Sequence, residues 1–175
     1  MKNKYILIAL IIAGSIIGCS KANLDKLSGL ITISGITARD ANGTLIGTAD
    51  TTDWTTEVDI PAAIVSKLNF SDTLDYSSND STGTITITAY PNPYDSIMAL
   101  HCQSSGKVVM KYVIVDDSLK TYSKNTLRLA SGTNIFMLNL SDSTIKSGKL
   151  YRMYYAFLGN NKNVFAKGHG DIQKK

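Results

Sequence analysis

The sequence predicts an all-β protein built as an antiparallel β-sandwich of about seven to eight strands. Three observations predict it. Thr, Ser, Ile, Val and Tyr are abundant while Glu occurs once, at Glu57, a composition that disfavours helices and suits strands. From Thr84 onward, short segments alternate apolar and polar residues. Turn signals separate those segments at intervals of roughly eight to twelve residues, the spacing of a sandwich.

The chain opens on Met1 with Lys2 and Lys4, followed by an apolar run from Tyr5 to Ile17. That run is shorter than the roughly 20 residues a membrane-spanning helix needs. It reads as the n-region and h-region of a secretory leader over residues 1–18. The run ends in Ile16-Ile17-Gly18-Cys19, which resembles the lipobox of bacterial lipoproteins. The resemblance implies diacylglyceryl transfer to the Cys19 thiol, cleavage between Gly18 and Cys19, and acylation of the new amino terminus. Several acyl chains, at about 0.8 kcal/mol per buried CH₂, make a stable bilayer anchor.

Residues 19–29 are small and polar, a flexible tether. Ser20 is not acidic; by the lipoprotein resemblance this implies the outer membrane, with the periplasmic and surface faces both open. Without Lys2 and Lys4 the formal charge falls from +4 to +2 (16 Lys and Arg against 14 Asp and Glu). The remaining cations are dispersed, which argues against a nucleic-acid partner. Cys19 goes to lipid, leaving Cys102 without an internal disulfide partner and alternating with Met98 and Leu100 as a small buried hydrophobe.

Residues 30–70 read as a small hairpin plus a short helix. Leu30 to Thr37 alternates as a strand, Asp40-Ala41-Asn42-Gly43 is a tight turn, and Thr44 to Ile46 returns. Trp54, the only tryptophan, sits in a polar loop, where it either folds back onto the core or faces a ligand. Asp59 is the expected N-cap of a helix running to about Leu68, with Pro61 in its first turn and Ile60, Ile64 and Leu68 on one face. Residues 71–83 are rich in Ser, Asp, Asn and Thr and read as a linker.

The sandwich is placed at 84–175. Thr84 to Ala89 is its first strand, stopped by Pro91 and Pro93, which lack an amide donor. Ser96 to Cys102 and Val108 to Val115 follow, the latter apolar on both faces except at Lys111 and so central. Leu119 to Tyr122 and Thr126 to Leu129 read as two short strands, then Ile135 to Leu140 and Lys149 to Leu158. Val164 to Lys167 closes the fold, and Gly168-His169-Gly170-Asp171 lies beyond it.

Thr88-Ala89-Tyr90-Pro91-Asn92-Pro93, the strand over Lys107 to Asp116, Leu129 to Asn134 and Ser147 to Tyr151 occur in that order. Together they resemble immunoglobulin-like C-terminal domains that open on Tyr-Pro-Asn-Pro, including the sorting domains of type IX secretion cargo in Bacteroidetes-type bacteria. The resemblance implies an immunoglobulin-like sandwich and, as a second reading, a secretion-linked cargo or adapter.

Catalytic motifs are sparse. His101 and His169 are far apart and lack metal-ligand spacing. His101 reads as a surface or satisfied strand residue; His169, between two glycines, is the better candidate for an exposed ligand-binding side chain, beside Trp54. Asp50, Asp53, Asp116 and Asp117 read as turn formers. No nucleophile elbow or phosphate loop occurs, and no cofactor or metal is expected. Six Asp-Ser/Thr-x triplets, from Asp50-Thr51-Thr52 to Asp142-Ser143-Thr144, resemble O-glycosylation acceptors of exported Bacteroidetes proteins. The expected function is that of a lipid-anchored, non-enzymatic binding or structural module, held to the bilayer through Cys19, with an envelope protein or a glycan as partner. A small hydrolase is a third reading.

Overall fold

Alternation puts one side of each strand inside, and seven segments among the described residues use it. They are β1 (Ile85–Tyr90), β2 (Ile97–Ser104), β3 (Val108–Val115), β4 (Thr121–Leu129), β5 (Gly132–Asn139), β6 (Leu150–Leu158) and β7 (Val164–Gln173). The computed structural model describes residues 30–56, 58–71, 83–159 and 163–175. Two antiparallel sheets result, with strand orders β1-β2-β5 and β4-β3-β6-β7. The fourth strand stays beside the third, unlike a constant-type immunoglobulin domain, where it joins the other sheet. The leader, Cys19, the tether, Glu57, residues 72–82 of the linker and residues 160–162 lie outside the described residues.

Met110, Tyr112 and Ile114 of β3 and Tyr151, Met153, Tyr155 and Phe157 of β6 point between the sheets, against Ile87, Leu100 and Cys102. Cys102 is fully buried there, as its alternation predicts, and burial pushes its thiol up to about 12. The opposite face of the larger sheet is also covered. Val113, Val115, Tyr154, Ala156 and Leu158 meet Ile64 and Leu68 of α1 (Ala62–Leu68). This explains why β3 and β6 read apolar on both faces. Lys111, the exception, is buried with its Nζ donating to the Phe70 carbonyl at 2.7 Å, just past α1.

Several expectations change. Residues 32–38 form no ladder strand; Ile31 instead donates its N–H to the Asp117 carbonyl at 3.3 Å. The hairpin itself forms, through an Arg39–Leu45 bridge and a turn with Gly43 at φ 83°. Asp59 does not cap α1, which starts after Pro61 with no side-chain cap; Asp59 is exposed and lies 3.4 Å from Lys167 Nζ. The two short strands after Leu119 are one strand, β4. β3 offers it a partner along its length, and an irregularity at Ile114/Val115 absorbs the register shift. The largest change is at the end. The stretch beyond Lys167 is the second half of β7, which runs on to Gln173.

Residues 30–70 lie over the sandwich. α1 covers the larger sheet, and Trp54, Thr56 and Val58 run along the outer edge of β7. Trp54 N–H donates to His169 O at 2.9 Å, Val58 N–H to Lys167 O at 3.2 Å and Lys167 N–H to Thr56 O at 3.2 Å. Tyr-Pro-Asn-Pro continues this cover. Asn92, fully buried, donates Nδ2 to Asp171 O at 2.9 Å and accepts the Gln173 N–H at 3.1 Å on Oδ1. Its main chain exchanges bonds of 2.8 and 2.9 Å with Arg39. The motif therefore pins the hairpin and the last strand to the start of the sandwich.

Candidate functional site

Trp54 and His169, far apart in sequence, line one cleft of about 600 Å³. Its construction starts at Gly168 and Gly170. On β7 these pair with Tyr155 and Met153, so they share the inward side of the pleat. A Cβ at Gly170 would run into the Trp54 indole, and one at Gly168 into the Thr55 carbonyl. The glycines do permit close approach, and what approaches is this chain's own loop.

Four anchors hold that loop. The Trp54 ring lies parallel to Tyr155, with centroids 6.3 Å apart. The Tyr155 hydroxyl donates to Thr55 O at 2.6 Å. Trp54 itself sits at φ 58°, uncommon for a bulky residue. Asp53 accepts the Thr37 N–H at 2.8 Å on one carboxylate oxygen and the Asp171 N–H on the other. Burial nonetheless pushes Asp53 up to about 6.

On the outward side of β7, Asp171 receives a two-pronged ion pair from Arg152 at 2.6 and 2.7 Å. Burial pushes the Asp171 carboxyl up and Arg152 pulls it back; the bidentate geometry keeps the pair ionised. His169 is only 7% exposed, which corrects its reading as an exposed side chain. β7 turns its side chain to the outer face of the larger sheet, opposite Gly168 and Gly170, where Tyr154 also lies. Its ring stacks on Tyr154 at 5.7 Å, and Nδ1 has no partner among the described residues. Burial, aided by Arg152, holds it down to about 4, so it is neutral at pH 7.

The acids and the histidine that a hydrolase would draw on do converge here. Each is engaged: Asp171 by Arg152, Asp53 by two main-chain amides, His169 by Tyr154. Neither Asp53 nor Asp171 lines the cleft. The lining is Thr51, Thr52, Thr55 and Thr56 with Trp54 and Val58 on one side, and Ile85, Thr86 and Ile87 of β1 on the other. At neutral pH none of these residues is charged.

The remaining candidates lie elsewhere. His101 is half-buried on β2, tilted against Tyr90 at 6.4 Å. Asp50 and Asp116 do form turns, accepting from Thr52 and from Ser118 and Lys120. No group of three or more potential metal ligands occurs among the described residues, and no helix among them is long and apolar enough to cross a membrane. Sequence reasoning missed a second cleft of about 510 Å³ where Lys107, Lys111 and Arg128 converge from β3, β4 and the loop before β3. Strand pairing alone brings these cations together. It also missed the threonine row, whose members read as loop filler.

No protein-family model matches the chain, and no curated protein matches it. Among solved structures, it is similar to a glycosyl hydrolase family 2 member from Bacteroides cellulosilyticus, at 19% identity and a TM-score of 0.33 over 54% of this chain. A β-glucuronidase from glycoside hydrolase family 2 aligns at 13% identity and a TM-score of 0.29 over 55% of this chain. The chain spans 15% and 12% of their respective lengths.

Proposed function

We propose that this protein is a lipid-anchored, non-enzymatic binding module of the bacterial envelope, tethered to the outer membrane through acylated Cys19. The observation that carries the binding half is the arrangement around β7. The acid and base groups are engaged within the fold, Asp53 in fixing the Trp54 loop, Asp171 by Arg152 and His169 by Tyr154, while the loop and β1 leave an uncharged cleft between them. The leader and Ile16-Ile17-Gly18-Cys19 support the anchoring half. A tether of ten residues after Cys19 reaches at most roughly 35 Å when extended, so the module stays close to the bilayer.

Fractionation of cells expressing the wild type and Cys19→Ala tests the anchor. Wild type is expected in the outer-membrane fraction and Cys19→Ala in the soluble fraction. Equal membrane association of both would overturn it. The secretion-adapter reading draws on Tyr90 to Pro93 and the C-terminus, but Asn92 and residues 168–173 have a structural use that accounts for them without sorting.

A further inference from the structure

The cleft runs beside the free edge of β1. Among the described residues β1 pairs only with β2, and its other edge has no neighbouring strand. In an antiparallel pair, alternate residues direct their main-chain groups at the partner and the rest point away. Ser105 N–H donates to Thr84 O at 3.1 Å, which fixes the parity. Thr84, Thr86, Thr88 and Tyr90 face β2, and the N–H and C=O groups of Ile85, Ile87 and Ala89 face the free edge. The Leu140 N–H bond to Ser96 O, at 2.7 Å, gives the same parity across β2.

These edge groups accept and donate no hydrogen bond to any described residue. Ile85 and Ile87 line the cleft, whereas Ala89 is fully buried and lies outside it. The last strand makes the contrast. Its outer edge is paired from Lys167 to Lys175 by Trp54, Thr56, Val58, Asp53, Asn92 and Tyr94. The strand before the cleft also lacks the usual protections of an edge, because Thr84–Tyr90 holds no charge and no proline.

We infer that the cleft takes an extended, uncharged peptide segment of a partner protein, added as a strand to the free edge of β1. The dimensions fit: a strand occupies about 4.8 by 10 by 3.3 Å per residue, so the volume of the cleft holds about four residues. Main-chain bonds to Ile85 and Ile87, the edge-facing residues that line the cleft, would supply affinity, the mode of β-strand addition. Alternate side chains would pack against Trp54, Ile85 and Ile87, and the others would meet the threonine hydroxyls. A charged side chain directed into this lining would meet no counter-charge. The inference rests on the binding-module reading and names its partner class.

The test uses the full chain in detergent and a labelled peptide copying Thr84–Tyr90, whose Thr/Ile alternation suits the slot. The expected result is saturable binding with a change in Trp54 emission and about tenfold slower hydrogen exchange at the Ile85 and Ile87 amides. N-methylation of the peptide at alternate residues is expected to weaken binding at least about tenfold, as is Thr86→Lys, while Thr133→Lys on the opposite edge strand leaves it unchanged. No saturable binding, equal binding of the N-methylated peptide, or equal loss in Thr133→Lys would overturn the inference. So would maltose altering these amides where the peptide does not, which would assign the cleft to a glycan. Detergent-solubilised Cys19→Ala is expected to bind like the wild type, which separates failure of the cleft from failure of the anchor.

Discussion

The indole of Trp54 occupies the space where a side chain at Gly170 would stand. This one contact ties a loop near the start of the described chain to its last strand. It also explains a strand that contains Gly-His-Gly. The glycines leave room on the inner side of the pleat while His169 stacks on the outer side.

Gly170→Ala is therefore expected to displace Trp54 and destabilise the fold by about 1–3 kcal/mol, the usual range for overpacking. Gly106→Ala, where an added Cβ meets nothing, serves as the control and is expected to stay within about 0.5 kcal/mol. Urea denaturation followed by tryptophan fluorescence measures both. A Gly170→Ala midpoint equal to wild type would show that the loop does not depend on that contact.

Much of this arrangement was legible, though not where the sequence drew the eye. Strand alternation located β1, β2, β3 and β6 because each buries one or both faces completely. β7 was cut short because Gly168 and Gly170 look like breakers until Trp54 is placed over them. The first segment read as a strand because Ile31-Thr32-Ile33-Ser34 alternates; it lacks a neighbour to pair with, and alternation does not reveal that. Trp54 and His169 were each visible alone, but only the register of β7 brings them to one cleft. Arg152 and the structural use of Asp53 had no sequence signal, since both depend on partners more than fifteen residues away.

Asn92 shows what Tyr-Pro-Asn-Pro does in this fold. Asn92→Ala removes the partner of Asp171 O, in the interior, and of the half-buried Gln173 N–H. The expected cost is about 2–4 kcal/mol, from two main-chain groups left unpaired. Thermal unfolding checks it. A substitution that alters cell location with no loss of stability would favour the adapter reading instead.

The groups around β7 make opposing contributions to stability between pH 4 and 6.5. His169 is held down to about 4 from 6.5, so the unfolded chain binds the more protons. Its contribution is present above 6.5 and is lost as pH falls through 4. Asp53 is pushed up to about 6 from 3.8, so here the folded chain binds the more protons. Its effect has the opposite sign: stability falls as pH rises from 4 to 6. Asp171, also pushed up, adds to the Asp53 sense. His169→Phe keeps the stack on Tyr154 and removes the histidine titration. Its urea midpoint, relative to wild type at each pH, is expected to decline from pH 4 to pH 6. A relative midpoint that rises over that interval would contradict the assignment.

Anchoring depends on Cys19, and the intact mass of the protein extracted from membranes tests it most directly. The predicted mass is that of a chain beginning at Cys19 plus a diacylglyceryl group and an N-linked acyl chain; any further hexose-sized increments would mark the Asp-Ser/Thr-x triplets as glycosylated. A chain that keeps residues 1–18, or one cleaved before Cys19 without lipid, would contradict the anchored reading.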